Sequence, residues 1–164
     1  MSNTAYLSLG SNLGDRAANL RQAIRRLESL GSILAVSSFY ETEPVDVEQP
    51  QPWFVNCAVA LETELSPQQL LAAILTLEQS MGRKRREKKG PRIIDIDIVL
   101  FDSLIVNTPE LTIPHPAMHR RRFVLAPLVE IAPGALHPVL KRTVQELLSE
   151  LPPDPGRVRR TSCC

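Results

Sequence analysis

Residues 83 to 101 read RKRREKKGPRIIDIDIVLF, a run of positive charge that passes directly into an alternating segment carrying Asp95 and Asp97. Alternation with period two marks a β-strand whose successive side chains face opposite ways. The two carboxylates therefore share a face, with Cα atoms roughly 7 Å apart, while Ile94, Ile96, Ile98 and Leu100 are expected to fill the other. Carboxylates on a half-buried strand are costly unless a metal ion or an arginine neutralises them. Seven cations, Arg83, Lys84, Arg85, Arg86, Lys88, Lys89 and Arg92, stand just upstream against a single Glu87. Paired carboxylates hold hard cations and basic side chains grip phosphate oxygens, so the junction suits a magnesium nucleotide. In the plainer alternative, Arg92 and the lysines only pair with the aspartates or form a solvated loop.

Working outward, the pattern gives a strand at about 4 to 10, the turn GSNLGD with Asn12 or Asp15 as helix cap, and a helix over 16 to 29. Strands follow near 32 to 41 and 53 to 65, separated by the proline-rich ETEPVDVEQPQP. A second helix is marked at both ends, by Ser66, Pro67 and Gln69 at its start and Gly82 after its last turn. With the Asp-Ile-Asp strand the order is βαββαβ, which predicts an α+β fold: a ferredoxin-like core with an antiparallel sheet and helices on one face. Further helices, near 117 to 130 and 143 to 151, are expected to cover the other face. The 42 to 52 and 83 to 91 loops are long enough to be binding loops, and the second is expected to be mobile until a ligand neutralises it.

The 164 residues are 43% hydrophobic and show no apolar run able to span a bilayer, which predicts a single domain over 1–151. MSNTAYLSLG has neither a charged n-region nor an apolar h-region, so a cytoplasmic location is expected, without membrane partners. Residues 83 to 92 carry +6 of a chain whose net charge is +1, which focuses the field on one anionic ligand. Cys57 reads as a buried small hydrophobe, and Cys163 and Cys164 end a proline- and arginine-rich tail, 152–164, expected to be disordered. Three cysteines without metal spacing build neither a disulfide framework nor a zinc site. The terminal pair as a lipidation signal is the weaker reading.

No P-loop pattern occurs, since the Gly10 to Asp15 turn lacks the lysine that motif requires. Taken together, YLSLGSNLGD, SSFYETEP, FVNCAVALET, GPRIIDIDIVLF and TIPHPAMHRRRFVLAPLVEIAP resemble, in order and over about 4 to 133, the 6-hydroxymethyl-7,8-dihydropterin pyrophosphokinases of folate biosynthesis. The resemblance implies transfer of diphosphate from the co-substrate ATP to the pterin hydroxymethyl group, with two Mg²⁺ ions on Asp95 and Asp97. It implies that Arg83, Arg85, Arg92 and Arg121 grip phosphate, that His115 contacts ATP, and that adenine meets backbone near Ile98, Leu111 and Thr112. Glu78 is expected to reach toward the ribose or the loop. Phe54 and Phe123 match the plates of a pterin pocket, Asn56 its amide, and Thr42 and Pro44 its loop contacts, with Asp95 also near the substrate hydroxyl. Lys89 stands where the family often has Trp, Pro116 where it has an aromatic, and Phe54 where Tyr is common. Lys88 and Lys89 are then point charges toward phosphate, without the arginine fork.

A monomer is expected, with small-molecule substrates and no nucleic acid. Basic loops on such a sheet can bind single-stranded RNA, yet the chain is only 4% aromatic and lacks stacking platforms. A nucleotide binder without turnover would keep the arginines but would not need both aspartates.

Overall fold

A computed structural model describes residues 2–43, 52–82, 92–152 and 158–161. Along the chain come β1 Asn3–Ser11, α1 Arg16–Leu27, β2 Ser32–Val36, β3 Tyr40–Thr42, β4 Phe54–Thr63, α2 Pro67–Ser80 and β5 Asp95–Phe101. Then follow β6 Val106–Asn107, β7 Thr112–Ile113, a 3-10 turn Met118–Arg120, α3 Arg122–Ile131, β8 Leu136–His137, β9 Arg142–Thr143, α4 Val144–Ser149 and β10 Val158–Arg160. The helix ends follow their local chemistry. Asp15 caps α1 by accepting from the Ala18 N–H at 3.1 Å. Ser66 and Gln69 form a reciprocal capping box on α2, and Gly82 beyond its end has φ +93°, a conformation that favours glycine.

The main sheet runs β10-β3-β4-β1-β5, with β2 also paired to β4, and its pairings are antiparallel. Both faces are covered. Leu7, Leu9, Val59 and Ile96 pack with Leu20 and Leu27 of α1 and with Leu70 and Ile74 of α2. On the opposite face Ala58 and Leu100 meet Val124, Leu125 and Leu128 of α3 and Leu147 of α4. Each of these valine, leucine and isoleucine side chains contributes on the order of 1.5–3 kcal/mol by leaving water, so packing on both faces holds the three layers together. The structure is mixed α+β, with the expected helical layer over the second face.

Four expectations change. Leu100 does not share the face of Ile94, Ile96 and Ile98, because the register with β1 shifts between Tyr6 and Leu7, leaving Val99 as an extra residue that reverses the parity beyond it. The single strand over 32 to 41 is two strands, because the Ser37 hydroxyl accepts from the Ala58 N–H at 2.8 Å, in place of a main-chain ladder bond. The helix near 117 to 130 is broken at Arg121, whose backbone is extended between the 3-10 turn and α3. Finally, within the tail expected to be disordered, Val158–Arg160 pair with β3, and the Thr161 N–H donates to the Phe39 carbonyl at 2.9 Å. Short as it is, this strand finds an unpaired sheet edge, which satisfies its backbone groups.

Candidate active site

Three neighbouring strands bring the expected residues into rows. Gly10 on β1 lies opposite Asn56 on β4 and Asp95 on β5, and Ser8 lies opposite Ala58 and Asp97. Directly opposed residues of an antiparallel ladder project to the same face, so Asn56, Gly10 and Asp95 form one row and Asp97 follows in the next. Glycine at the centre lets the Asn56 amide and the Phe54 ring close over the β1 backbone. A Cβ at Gly10 would stand 2.6 Å from Asn56 Nδ2 and 3.3 Å from Phe54 Cδ1. β3 extends the surface, with Tyr40 opposite Asn56 and Thr42 opposite Phe54.

The Asn56 amide is held in one orientation. The Thr42 hydroxyl donates to Asn56 Oδ1, and Asn56 Nδ2 donates to the Leu9 carbonyl at 3.3 Å. Asn56 is 4% exposed and Thr42 2%. An amide has a second N–H and a second lone pair, so a donor and an acceptor can still be presented side by side to the edge of a heterocycle. Phe54 is half-buried beside it. Phe123, also half-buried, packs against the second core and lies under the Arg121 guanidinium at 5.5 Å.

Opposite charges meet at the start of β5. Arg92 Nη1 is 3.3 Å from Asp95 Oδ2. His115 is pushed down to about 4, first by burial and then by the Arg121 cation, with Asp95 acting in the opposite direction. Its Nδ1 accepts from the Ala117 N–H at 3.1 Å, so the neutral ring carries its proton on Nε2 and presents a donor there. The His115 N–H donates to the Val99 carbonyl at 3.0 Å, which ties this segment to β5. Arg92 thus pairs with Asp95, and His115 lies within electrostatic reach of both Asp95 and Arg121, three donors suited to phosphate oxygens.

Ile98 and Leu111 have buried side chains, 5% and 8% exposed. Thr112 is exposed on β7. Glu78 departs from its expected direction toward the ribose or the loop. It is 1% exposed, and its Oε2 accepts from the Ile96 N–H at 2.8 Å. It lies eight residues beyond Leu70 and four beyond Ile74 on α2, on the apolar stripe that faces the sheet. That helical periodicity was the available signal. Pro44, Arg83, Arg85, Lys88, Lys89, Cys163 and Cys164 lie outside the described residues.

Sequence reasoning treated Asn12 only as a possible helix cap. The side chain instead accepts from the Arg92 N–H at 2.7 Å through Oδ1 and donates to the Pro52 carbonyl at 3.3 Å through Nδ2. Arg16 makes a parallel link, from Nη1 to the Trp53 carbonyl at 2.7 Å. No short-range pattern marks such contacts between distant segments.

Among the described residues no group of three or more His, Cys, Asp and Glu side chains is placed to hold a metal ion. Two carboxylates on one strand face nevertheless fit Mg²⁺, which keeps several waters and commonly takes one or two carboxylates together with substrate phosphates.

The family model for 7,8-dihydro-6-hydroxymethylpterin-pyrophosphokinase matches residues 6–133. The 2-amino-4-hydroxy-6-hydroxymethyldihydropteridine pyrophosphokinase of Methylorubrum extorquens is 43% identical over 158 residues, covering 95% of this chain and 97% of that protein. Folic acid synthesis protein FOL1 of Dictyostelium discoideum is 43% identical over 150 residues, covering 92% of this chain, which spans only 23% of that longer protein. The crystal structure of Plasmodium falciparum HPPK-DHPS wild type with pteroate shares the fold, with a TM-score of 0.74 at 20% identity, over 92% of this chain and 42% of that one.

Proposed function

The chain belongs to the 7,8-dihydro-6-hydroxymethylpterin-pyrophosphokinase family, and from that premise we propose that it transfers diphosphate from ATP to the hydroxymethyl group of 6-hydroxymethyl-7,8-dihydropterin, releasing AMP. The observation that carries the reading is the row Asn56, Gly10, Asp95, which sets a ring-edge amide and a metal-suited carboxylate on one face, separated by a glycine whose missing side chain lets the amide close over β1. The pterin hydroxyl oxygen forms a bond to the β-phosphorus while the bridge to the α-phosphorus breaks. Such transfer depends mainly on positioning and electrostatic stabilisation.

In this account Asn56, fixed by Thr42, orients the pterin edge, and Phe54 and Phe123 lie against its faces. Arg92 and Arg121 grip phosphate oxygens, as do Arg83, Arg85 and Lys88, and His115 donates from Nε2. Adenine meets backbone near Ile98, Leu111 and Thr112, and Pro44 joins Thr42 at the pterin. Two Mg²⁺ ions on Asp95 and Asp97 would neutralise charge on the attacking and leaving oxygens. Asp95, released from Arg92, points to the substrate hydroxyl.

With β2 and β3, which both pair with β4, counted as one interrupted strand, the path to β5 is taken as ferredoxin-like, within one domain over 1–151 acting as a cytoplasmic monomer without nucleic acid or membrane partners. Among the described residues no helix is long and apolar enough to cross a membrane. Chromatographic measurement of AMP from Mg-ATP and the hydroxymethyl pterin tests the reaction. AMP should form only when both substrates are present. Nucleotide binding without AMP would instead leave a binder that does not turn over.

A further inference from the structure

The last turn of α2 buries a carboxylate to which the reaction above gives no task. Glu78 is 1% exposed, and its Oε2 receives the Ile96 N–H at 2.8 Å. Ile96 is the residue between Asp95 and Asp97. Its strand lies at the end of the sheet order, paired on one side with β1. Asp95 is also the first residue of β5, and its partner across the ladder is Gly10, a residue with little strand preference. An edge strand held from one side by a glycine frays at that end unless its outer groups are also bonded.

Burying a carboxylate on the face of α2 that also buries Leu70, Ile74 and Leu77 is unfavourable compared with an aliphatic side chain in the same place. A hydrogen bond at this point fixes geometry that an aliphatic residue could not. We infer that Glu78 is a positioning residue: it clamps the backbone between Asp95 and Asp97 and so fixes the separation and direction of the two carboxylates for their cations. This inference rests on the reading of Asp95 and Asp97 as the metal-holding pair.

The test compares the wild type with Glu78→Gln, which keeps an oxygen acceptor, Glu78→Leu, which removes it, and Asp97→Ala. Mn²⁺ binding by electron paramagnetic resonance, with a non-hydrolysable ATP analogue present, is measured beside kcat, both KM values and the exchange rate of the Ile96 amide. Glu78→Leu should weaken Mn²⁺ binding and lower kcat about 10–100-fold, as loss of an outer support of a metal site does, with both KM values within about twofold. Glu78→Gln should stay near the wild type, and the Ile96 amide should exchange faster only in the leucine variant. If the leucine variant does not fold, Glu78→Asp, which keeps the charge but withdraws it by one methylene, should show the same selective loss of Mn²⁺ affinity. Unchanged Mn²⁺ affinity in a folded Glu78→Leu or Glu78→Asp protein overturns the inference, as does a rise confined to the KM for ATP, which would make Glu78 a nucleotide ligand. If Asp97→Ala itself leaves Mn²⁺ binding unchanged, the metal-site reading fails first, and the inference with it.

Discussion

Asn12 and Arg92 exchange two hydrogen bonds: Asn12 Oδ1 receives the Arg92 N–H at 2.7 Å, and the Asn12 N–H donates to the Arg92 carbonyl at 3.0 Å. This pairing continues the contact between β1 and β5 past the last strand residues and sets the backbone from which Arg92 reaches Asp95. Asn12 is fully buried. Asn12→Ala therefore strands the Arg92 N–H and should cost about 1–3 kcal/mol of stability. Asn12→Asp keeps the oxygen acceptor but buries a charge and turns an oxygen toward the Pro52 carbonyl, so it should cost no less. Urea unfolding of Asn12→Ala measures the loss, and an unchanged midpoint would show that the Arg92 bond is not a stabilising one.

Gly10→Ala should act on the pterin alone. The added methyl would meet Asn56 Nδ2 at 2.6 Å and must displace the amide that Thr42 holds. Pterin affinity should fall by roughly 1–3 kcal/mol, the scale of overpacking in a tight site. Calorimetric titration should show binding of a non-hydrolysable Mg-ATP analogue unchanged. A parallel loss of nucleotide affinity would place Gly10 outside the pterin pocket.

The sequence makes much of this surface legible and hides specific parts. Period two identifies the shared face of Asp95 and Asp97, and cap chemistry at Ser66 and Gln69 fixes the start of α2, because both are local rules. Alternation alone sets Leu100 with Ile98, and the one-residue bulge at Val99 that moves it to the other face leaves no trace in hydrophobic pattern. The direction expected for Glu78, toward the ribose or the loop, comes from the resemblance and its place at a helix end, whereas the stripe of Leu70 and Ile74 passes through its position and buries it. Asn12 and β10 depend on partners 80 and more than 110 residues away, which no short window reports.

His115 supplies a pH dependence with a definite sign. Its folded value, about 4, lies below the 6.5 of an exposed imidazole. Between those values the unfolded chain takes up a proton that the folded protein refuses, so stability is complete above about 6.5 and declines as pH falls toward 4. Urea midpoints at pH 7 and pH 5 should differ less in His115→Gln than in the wild type. A nuclear magnetic resonance titration placing His115 near 6.5 would contradict the burial argument.

The C-terminal strand should make a modest contribution. Arg159 pairs with Glu41 at 3.1 Å and stands 5.1 Å over the Trp53 ring, and both contacts border the strands carrying Thr42 and Phe54. Arg159→Ala should cost under about 1 kcal/mol, the range for exposed pairs and cation–π contacts. Deleting 158–164 should cost more and speed amide exchange in β3, whose edge it uncovers. Unchanged exchange in β3 would mean that the strand adds nothing in solution.

The two carboxylates of β5 are the centre of the proposed active site. Asp97→Ala, shown to be folded by circular dichroism, should lose AMP formation from Mg-ATP and hydroxymethyl pterin by roughly 10²- to 10³-fold or more, because it removes stabilisation used mainly in the transition state. Single-turnover measurement at saturating concentrations of both substrates separates that loss from weakened binding. A rate reduced to that extent is the predicted result, and a folded Asp97→Ala protein producing AMP at the wild-type rate would contradict the proposed active site.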